Sequence, residues 1–258
     1  VRIIEAYAGK IAKVHETLEA VEKGLLDIGS YCVCFETAKL LPWNFDYFVP
    51  FTTTNLETNW AVKHKILKQF PYLTKMLEDK YNQKFIAMQG FDDYGLGTVK
   101  QWQKASELKG VKVIAAGPNL PWVSLFGSIP VTSTLPTMYN DLATGVAKGV
   151  IIFPSAHAGG FKFYEQAPYW KVIGFGAMAQ TITTINLDTL KKLPPEVAKI
   201  IMEEAQNYEK AAVKDGQQRY QKGLTDLVKL GKKKGINDAV TYLPSVSYTH
   251  LRAHETVA

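Results

Sequence analysis

The chain has 258 residues, enough for one large domain or two small ones around a sizeable core. Hydrophobic residues make up 47% and charged residues 21%, ordinary globular usage that excludes disordered, collagen-like and coiled-coil chains. The net charge is +6, yet the 30 basic residues include only Arg2, Arg219 and Arg252. Nucleic-acid recognition leans on Arg forks, and the Lys here is scattered, so the charge reads as solvated surface with no nucleic-acid partner.

The chain opens at Val1-Arg2-Ile3-Ile4-Glu5, which reads as a strand without a preceding Met or signal core. A processed segment, or a start inside a domain, is the expectation. Ile11, Val14, Leu18 and Val21 then form one helical stripe that Gly24 stops. Leu25 to Phe35 reads as a turn and a buried strand. Cys32 and Cys34, at i and i+2 on that strand, are expected to be small buried residues, poorly placed to bond each other. Asn55 can cap a helix through about Leu67, and Pro71 suits the first turn of the next, with Leu73, Met76 and Leu77 inward.

Phe85 to Met88 is a short apolar strand. Val111 to Ala116 is another, ended by Gly117-Pro118 and followed by a short helix with Trp122 and Phe126. Ile129-Pro130-Val131 is a strand. Thr134 caps a helix closed by Gly145, and Val150 to Phe153 is a strand stopped by Pro154. Residues 181–187 read as a further strand. A long helix follows Pro194-Pro195, with Val197, Ile200, Ile201, Ala205 and Tyr208 on its apolar side. Ser247 to Ala258, with His250 and His254, has neither period and resembles adapter read-through. Short strands alternating with helices argue for an α/β fold with mostly parallel sheets.

Motifs for catalysis are sparse. His15 and His64 sit among Lys and Glu and read as surface residues; His157 follows a strand end, where it could act as a base. No Gly-x-Ser-x-Gly, His-Glu-x-x-His or phosphate-binding glycine loop is present, and no cofactor is expected. Gly174-Phe175-Gly176-Ala177 lacks a third glycine. Asp92-Asp93 could serve as acid, base or metal ligand, but adjacent acids leaving a strand read as solvated. Tyr31, Phe35, Phe91, Tyr94, Trp122 and Phe153 cluster at predicted strand ends, as aromatic walls of a small-ligand site do.

Five segments, in order, resemble one family: Gly24-Leu25-Leu26-Asp27-Ile28-Gly29, Pro50-Phe51, Leu108-Lys109-Gly110-Val111-Lys112-Val113, Gly127-Ser128-Ile129-Pro130-Val131 with Tyr139, Leu142 and Gly145 to Gly149, and Asn186 with Leu193-Pro194. They are similar to the solute-binding proteins of tripartite ATP-independent periplasmic (TRAP) transporters, dicarboxylate-binding type, over about residues 1–230. The resemblance implies a periplasmic, two-lobed α/β binding protein with a long helix spanning the lobes. It implies a small organic acid or polar metabolite as ligand, membrane permease subunits as partners, and no enzymatic activity. The domains expected are 1–94 for lobe one, lacking its first strand–helix unit, 95–178 for lobe two, 179–246 for a crossover strand and long helices, and 247–258 for a non-native tail. A same-fold protein for sensing or scavenging is the alternative, and an enzyme using His157 or Asp92/Asp93 a further one.

The resemblance also implies an Arg clamp on the ligand carboxylate, where this chain has Ile114. An Arg fork makes two charge-assisted hydrogen bonds worth about 1.5–3 kcal/mol each, and isoleucine makes none. No arginine is expected in a pocket loop. A lysine, Lys148 or Lys100, could substitute; so could a cation bridge at Asp92 or Asp93. The reading preferred is a solute held by amides and rings, with Gln89, Asn119, Ser155 and Asn186 as polar contacts, and Tyr31, Phe91, Tyr94, Trp122 and Phe153 as walls. Backbone amides at the helix start near Asn119 would add an anion contact.

Overall fold

The structure, a computed structural model, describes residues 2–7 and 9–243. The tail expected over 247–258 lies outside the described residues. In chain order the elements are α1 (Thr17–Glu22), β1 (Ile28–Cys32), α2 (Leu56–Gln69), α3 (Tyr72–Tyr81), β2 (Gln83–Phe91), β3 (Gly95–Thr98), β4 (Lys112–Ala115), α4 (Leu120–Ser124), β5 (Ile129–Thr132), α5 (Leu135–Ala143), β6 (Gly149–Ile152), α6 (Pro154–Ala158), β7 (Tyr169–Val172), β8 (Met178–Asn186), α7 (Leu187–Lys192), α8 (Pro195–Lys233) and β9 (Val240–Tyr242). Short 3-10 turns join several of them. The class is α/β, and among the described residues no helix is long and apolar enough to cross a membrane.

The chain divides into two compact units. Unit one holds Val1–Phe45, Glu57–Gly90 and Ala179–Asp215; unit two holds Asp46–Leu56, Phe91–Met178 and Gly216–Ala258.

Unit one is built on the sheet β1-β8-β2. β1 and β8 run antiparallel, from Ile28 opposite Ile185 to Cys32 opposite Thr181. Leu18, Val33, Leu40, Trp43, Leu77, Met88 and Ile182 are fully buried in one core. Burying each such aliphatic side chain is worth about 1.5–3 kcal/mol. A smaller core joins Ile86, Ala87 and Ile185 to Ala205 of α8. The apolar side of α8 runs through Ile201, Met202 and Ala205 rather than through Ile200 or Tyr208, which are exposed.

Three expectations in this unit are corrected. Among the described opening residues there is no strand: Ile3 and Ile4 are exposed and belong to no ladder, without which a strand does not exist. The first helix begins at Thr17, so Ile11 and Val14 precede it, stay exposed and never join Leu18 and Val21 on a helical face. Cys32 and Cys34 form a disulfide. β1 ends at Cys32 and the chain tightens into a 3-10 turn over Val33–Glu36, so the extended geometry assumed for i and i+2 does not apply. Their Cα atoms are 5.2 Å apart, inside the range a disulfide spans.

Unit two is built on the six-stranded sheet β5-β4-β6-β3-β7-β9. β5, β4 and β6 run parallel, as do β7 and β9; β3 is antiparallel to both neighbours. The sheet is therefore mixed. β3 reads Gly-Leu-Gly-Thr, with no β-branched run to mark it as a strand. Its glycines are required by packing. A Cβ on Gly97 would lie 2.8 Å from His157 Nε2, and one on Gly95 would lie 2.7 Å from the Lys171 carbonyl.

Candidate functional site

The strand polarity of unit two brings the C-terminal ends of β4 and β6 and the N-terminal end of β3 to one edge. Gly95 pairs with Ile152, which sets Tyr94 beside Phe153. In open α/β sheets such an edge is where ligands sit. Four of the five predicted ring residues meet here. Phe91 stacks on Phe153 with centroids 4.7 Å apart and planes 8° from parallel. Tyr94 stands edge-on to Phe153 at 5.5 Å and to Trp122 at 5.6 Å. Two residues that the sequence reading missed complete the cluster. Tyr47 packs on Trp122, accepts its indole N–H on the backbone carbonyl at 2.9 Å, and pairs hydroxyl to hydroxyl with Tyr94 at 3.1 Å. Phe175 stacks on the Trp122 face at 4.9 Å. Burial raises the pKa of both Tyr47 and Tyr94, keeping their phenols neutral.

Exposure divides the cluster. Trp122 is 2% exposed and Tyr94 5%, whereas Phe91 is only half-buried. Trp122, with one face on Phe175 and its N–H satisfied, supports the wall. Phe91 keeps surface to offer.

The polar residues of this edge are anchored. Asp92 accepts from the Ser155 hydroxyl at 3.0 Å and the Ser155 amide at 3.4 Å. A Cβ on Gly223 of α8 would lie 2.7 Å from Ser155 N, so α8 presses directly on this turn. Asp93 accepts from the Gly176 amide at 2.9 Å. Both acids are 2% exposed, which corrects the expectation of solvated carboxylates. The chain turns inward after β2, and the backbone amides of Ser155 and Gly176 replace water. Burial raises both carboxyls, Asp93 to about 7; the Ser155 bonds and the Arg219 charge partly offset this at Asp92.

Arg219 lies on the long helix rather than in a pocket loop, as expected, yet acts on this edge. It lies half-buried on α8, and its charge reaches Asp92. Ile114 is fully buried in β4, while Lys100 and Lys148 are exposed. Among the described residues no group of three or more His, Cys, Asp and Glu could hold a metal.

Asn119 lies at the same edge but is 2% exposed, and its Oδ1 accepts the Ala116 amide at 2.8 Å. The helix after it, α4, has five residues, too short to present an anion site. His157 is fully buried: its Nε2–H donates to the Ala167 carbonyl at 2.8 Å, its ring packs on Trp170, and desolvation lowers its pKa to about 4. It is a neutral core imidazole. His64, expected at the surface, is partly covered and lies 3.2 Å from Glu209.

The remaining predicted residues belong to unit one. Gln89 is half-buried on β2. Tyr31 donates its hydroxyl hydrogen to Gln83 at 3.0 Å. Asn186 caps α7 by accepting from the Asp188 and Thr189 amides, and donates to the Val21 carbonyl at 2.7 Å. Tyr31 and Asn186 thus serve the framework of unit one.

The chain thus combines an α/β fold with a mixed sheet, a ring-lined edge and a 39-residue helix. The model of the DctP family, bacterial extracellular solute-binding protein family 7, matches residues 4–237, and the chain belongs to that family. No individually curated protein matches it. Solved structures share its fold. DctP7 of Bordetella pertussis, an extracytoplasmic solute receptor binding pyroglutamic acid, superposes with a TM-score of 0.81 at 20% identity, covering 96% of this chain and 78% of that one. A TRAP periplasmic solute-binding protein of Pseudomonas aeruginosa with bound L-malate gives 0.80 at 14% identity, covering 95% and 82%. One from a Sulfitobacter species with bound β-D-galacturonate gives 0.77 at 15% identity, covering 96% and 79%. The two-lobed binding-protein fold and the solute-binding role read from the sequence both stand.

Proposed function

We propose that this periplasmic protein captures a small organic acid or polar metabolite and delivers it to the membrane permease subunits of a TRAP transporter, catalysing no reaction itself. Phe91 and Ser155, the least buried of the ring and polar residues at the unit-two edge, contact the solute. Tyr94, Trp122 and Phe153 back them. Relatives that bind pyroglutamate, malate and galacturonate support a compact carboxylate or its polar analogue. With Ile114 buried in β4, recognition rests on hydroxyl, amide and ring contacts rather than on a guanidinium at that position. The neutral, enclosed His157 supports the absence of catalysis.

The observation that carries this reading is the family match over residues 4–237 on a chain whose sheet edge gathers these rings. A thermal-shift panel of pyroglutamate, malate, galacturonate, glucuronate and neutral lactams tests it. A true solute at a hundredfold excess over Kd stabilises by about 2.7 kcal/mol. No response from any member would count against the reading.

A further inference from the structure

The same edge of the unit-two sheet continues past β3 to the ends of β7 and β9. There Ile173 and Gly174, Tyr242, Thr54, Asp93 and Tyr220 of α8 help to line a solvent-open cavity of about 240 Å³. For scale, an engineered cavity of about 150 Å³ holds benzene. The lining is lopsided in charge: it carries one carboxylate, one threonine hydroxyl and two tyrosine rings, and no basic side chain.

Asp93 is the unusual member. It is 2% exposed, and among the described residues it makes one hydrogen bond, from the Gly176 amide to Oδ1. The charged neighbour that acts on it is Asp92, of the same sign; Arg219 acts on Asp92. A buried carboxylate with a like-charged neighbour and one amide partner is costly to ionise. A cation in the adjacent space would offset that cost.

We propose that this cavity is a binding site for a small organic ammonium ion, held by the Asp93 carboxylate and flanked by the rings of Tyr220 and Tyr242. The tyrosine rings suit a cation of low charge density, and the Thr54 hydroxyl can accept from N–H. A hard divalent ion would need six or more oxygens at short range, which this lining does not supply. Because Asp93 titrates at about 7, the ammonium competes with a proton and binds the ionised carboxylate. Tyr220 and Tyr242 are the other titratable groups lining the cavity.

Calorimetric titration of the full chain with methylammonium chloride, at ionic strength matched with sodium chloride, tests the site. Saturable one-to-one binding is expected, tightening about tenfold between pH 6 and pH 8 as Asp93 ionises. Asp93→Asn is expected to lose at least tenfold in affinity and the pH dependence with it. Tyr220→Leu should lose several-fold and keep the pH dependence. No saturable binding at pH 8, equal binding of sodium, or wild-type affinity in Asp93→Asn would each overturn the proposal. If Asp93→Asn does not fold, the wild-type pH profile and Tyr220→Leu decide alone.

Discussion

Gly97→Ala should unseat His157. Gly97 sits on β3 between β6 and β7, and its φ is not in the left-handed region, so the backbone itself accepts alanine. The obstacle is steric. The new methyl would lie 2.8 Å from His157 Nε2 and 3.0 Å from Nδ1, against a ring that is fully buried, packed on Trp170 and bonded to Ala167. Overpacking a tight core costs about 1–3 kcal/mol. Displacing the imidazole adds about 0.5–1.5 kcal/mol for its hydrogen bond. Urea denaturation of Gly97→Ala should thus show a loss of about 2–4 kcal/mol. The double variant Gly97→Ala/His157→Ala should be less destabilised than the two single changes summed, because removing the ring gives the methyl its space. A loss below about 0.5 kcal/mol, or strict additivity, would refute the reasoning.

The pH response follows from two opposed buried groups. His157 is held neutral with its pKa lowered to about 4, so its contribution is full above about 6.5 and drains away as pH falls toward 4. Asp93, raised to about 7, acts the other way: its protonated form favours the folded state below about 4, and that advantage is lost as pH rises through 7. Denaturation at pH 4.5 and 8 should show His157→Phe losing the acid-side decline and Asp93→Asn losing the alkaline-side one. Trp122→Ala should cost about 3–5 kcal/mol of stability through its buried ring, its indole hydrogen bond reading out in the melt before it reads out in binding. Asn186→Ala should lower stability by about 0.5–2 kcal/mol through the lost α7 cap, with solute affinity unchanged.

Much of this fold is legible in the sequence because pattern and packing agree. Pro71 and Pro136 sit in or beside the first turns of α3 and α5, and the apolar runs of β4 and β6 are strands buried by their neighbours. The failures have physical causes. β3 is hidden because packing against His157 and Trp170 demands glycine where propensity expects branched residues. Asp92 and Asp93 look solvated because acidity is visible in a sequence and amide partners are not. Arg219 lies 127 positions from Asp92 along the chain, so no local pattern could reveal its influence. The ring set was legible in part: Phe91, Tyr94, Trp122 and Phe153 stood at predicted strand ends. Tyr47 and Phe175 lie on connecting segments that carry no strand signal.

The account turns on whether the unit-two edge meets the solute, and Phe91 tests that most directly. Its half-exposed ring stacks on Phe153, so Phe91→Ala should spare most of the stability while removing a solute contact. Titration of wild type and variant with the strongest solute from the panel, followed by tryptophan fluorescence, is the measurement. A loss of at least tenfold in affinity, about 1.4 kcal/mol, with a nearly unchanged melt is the result predicted. Equal Kd values for the two proteins would place the solute elsewhere.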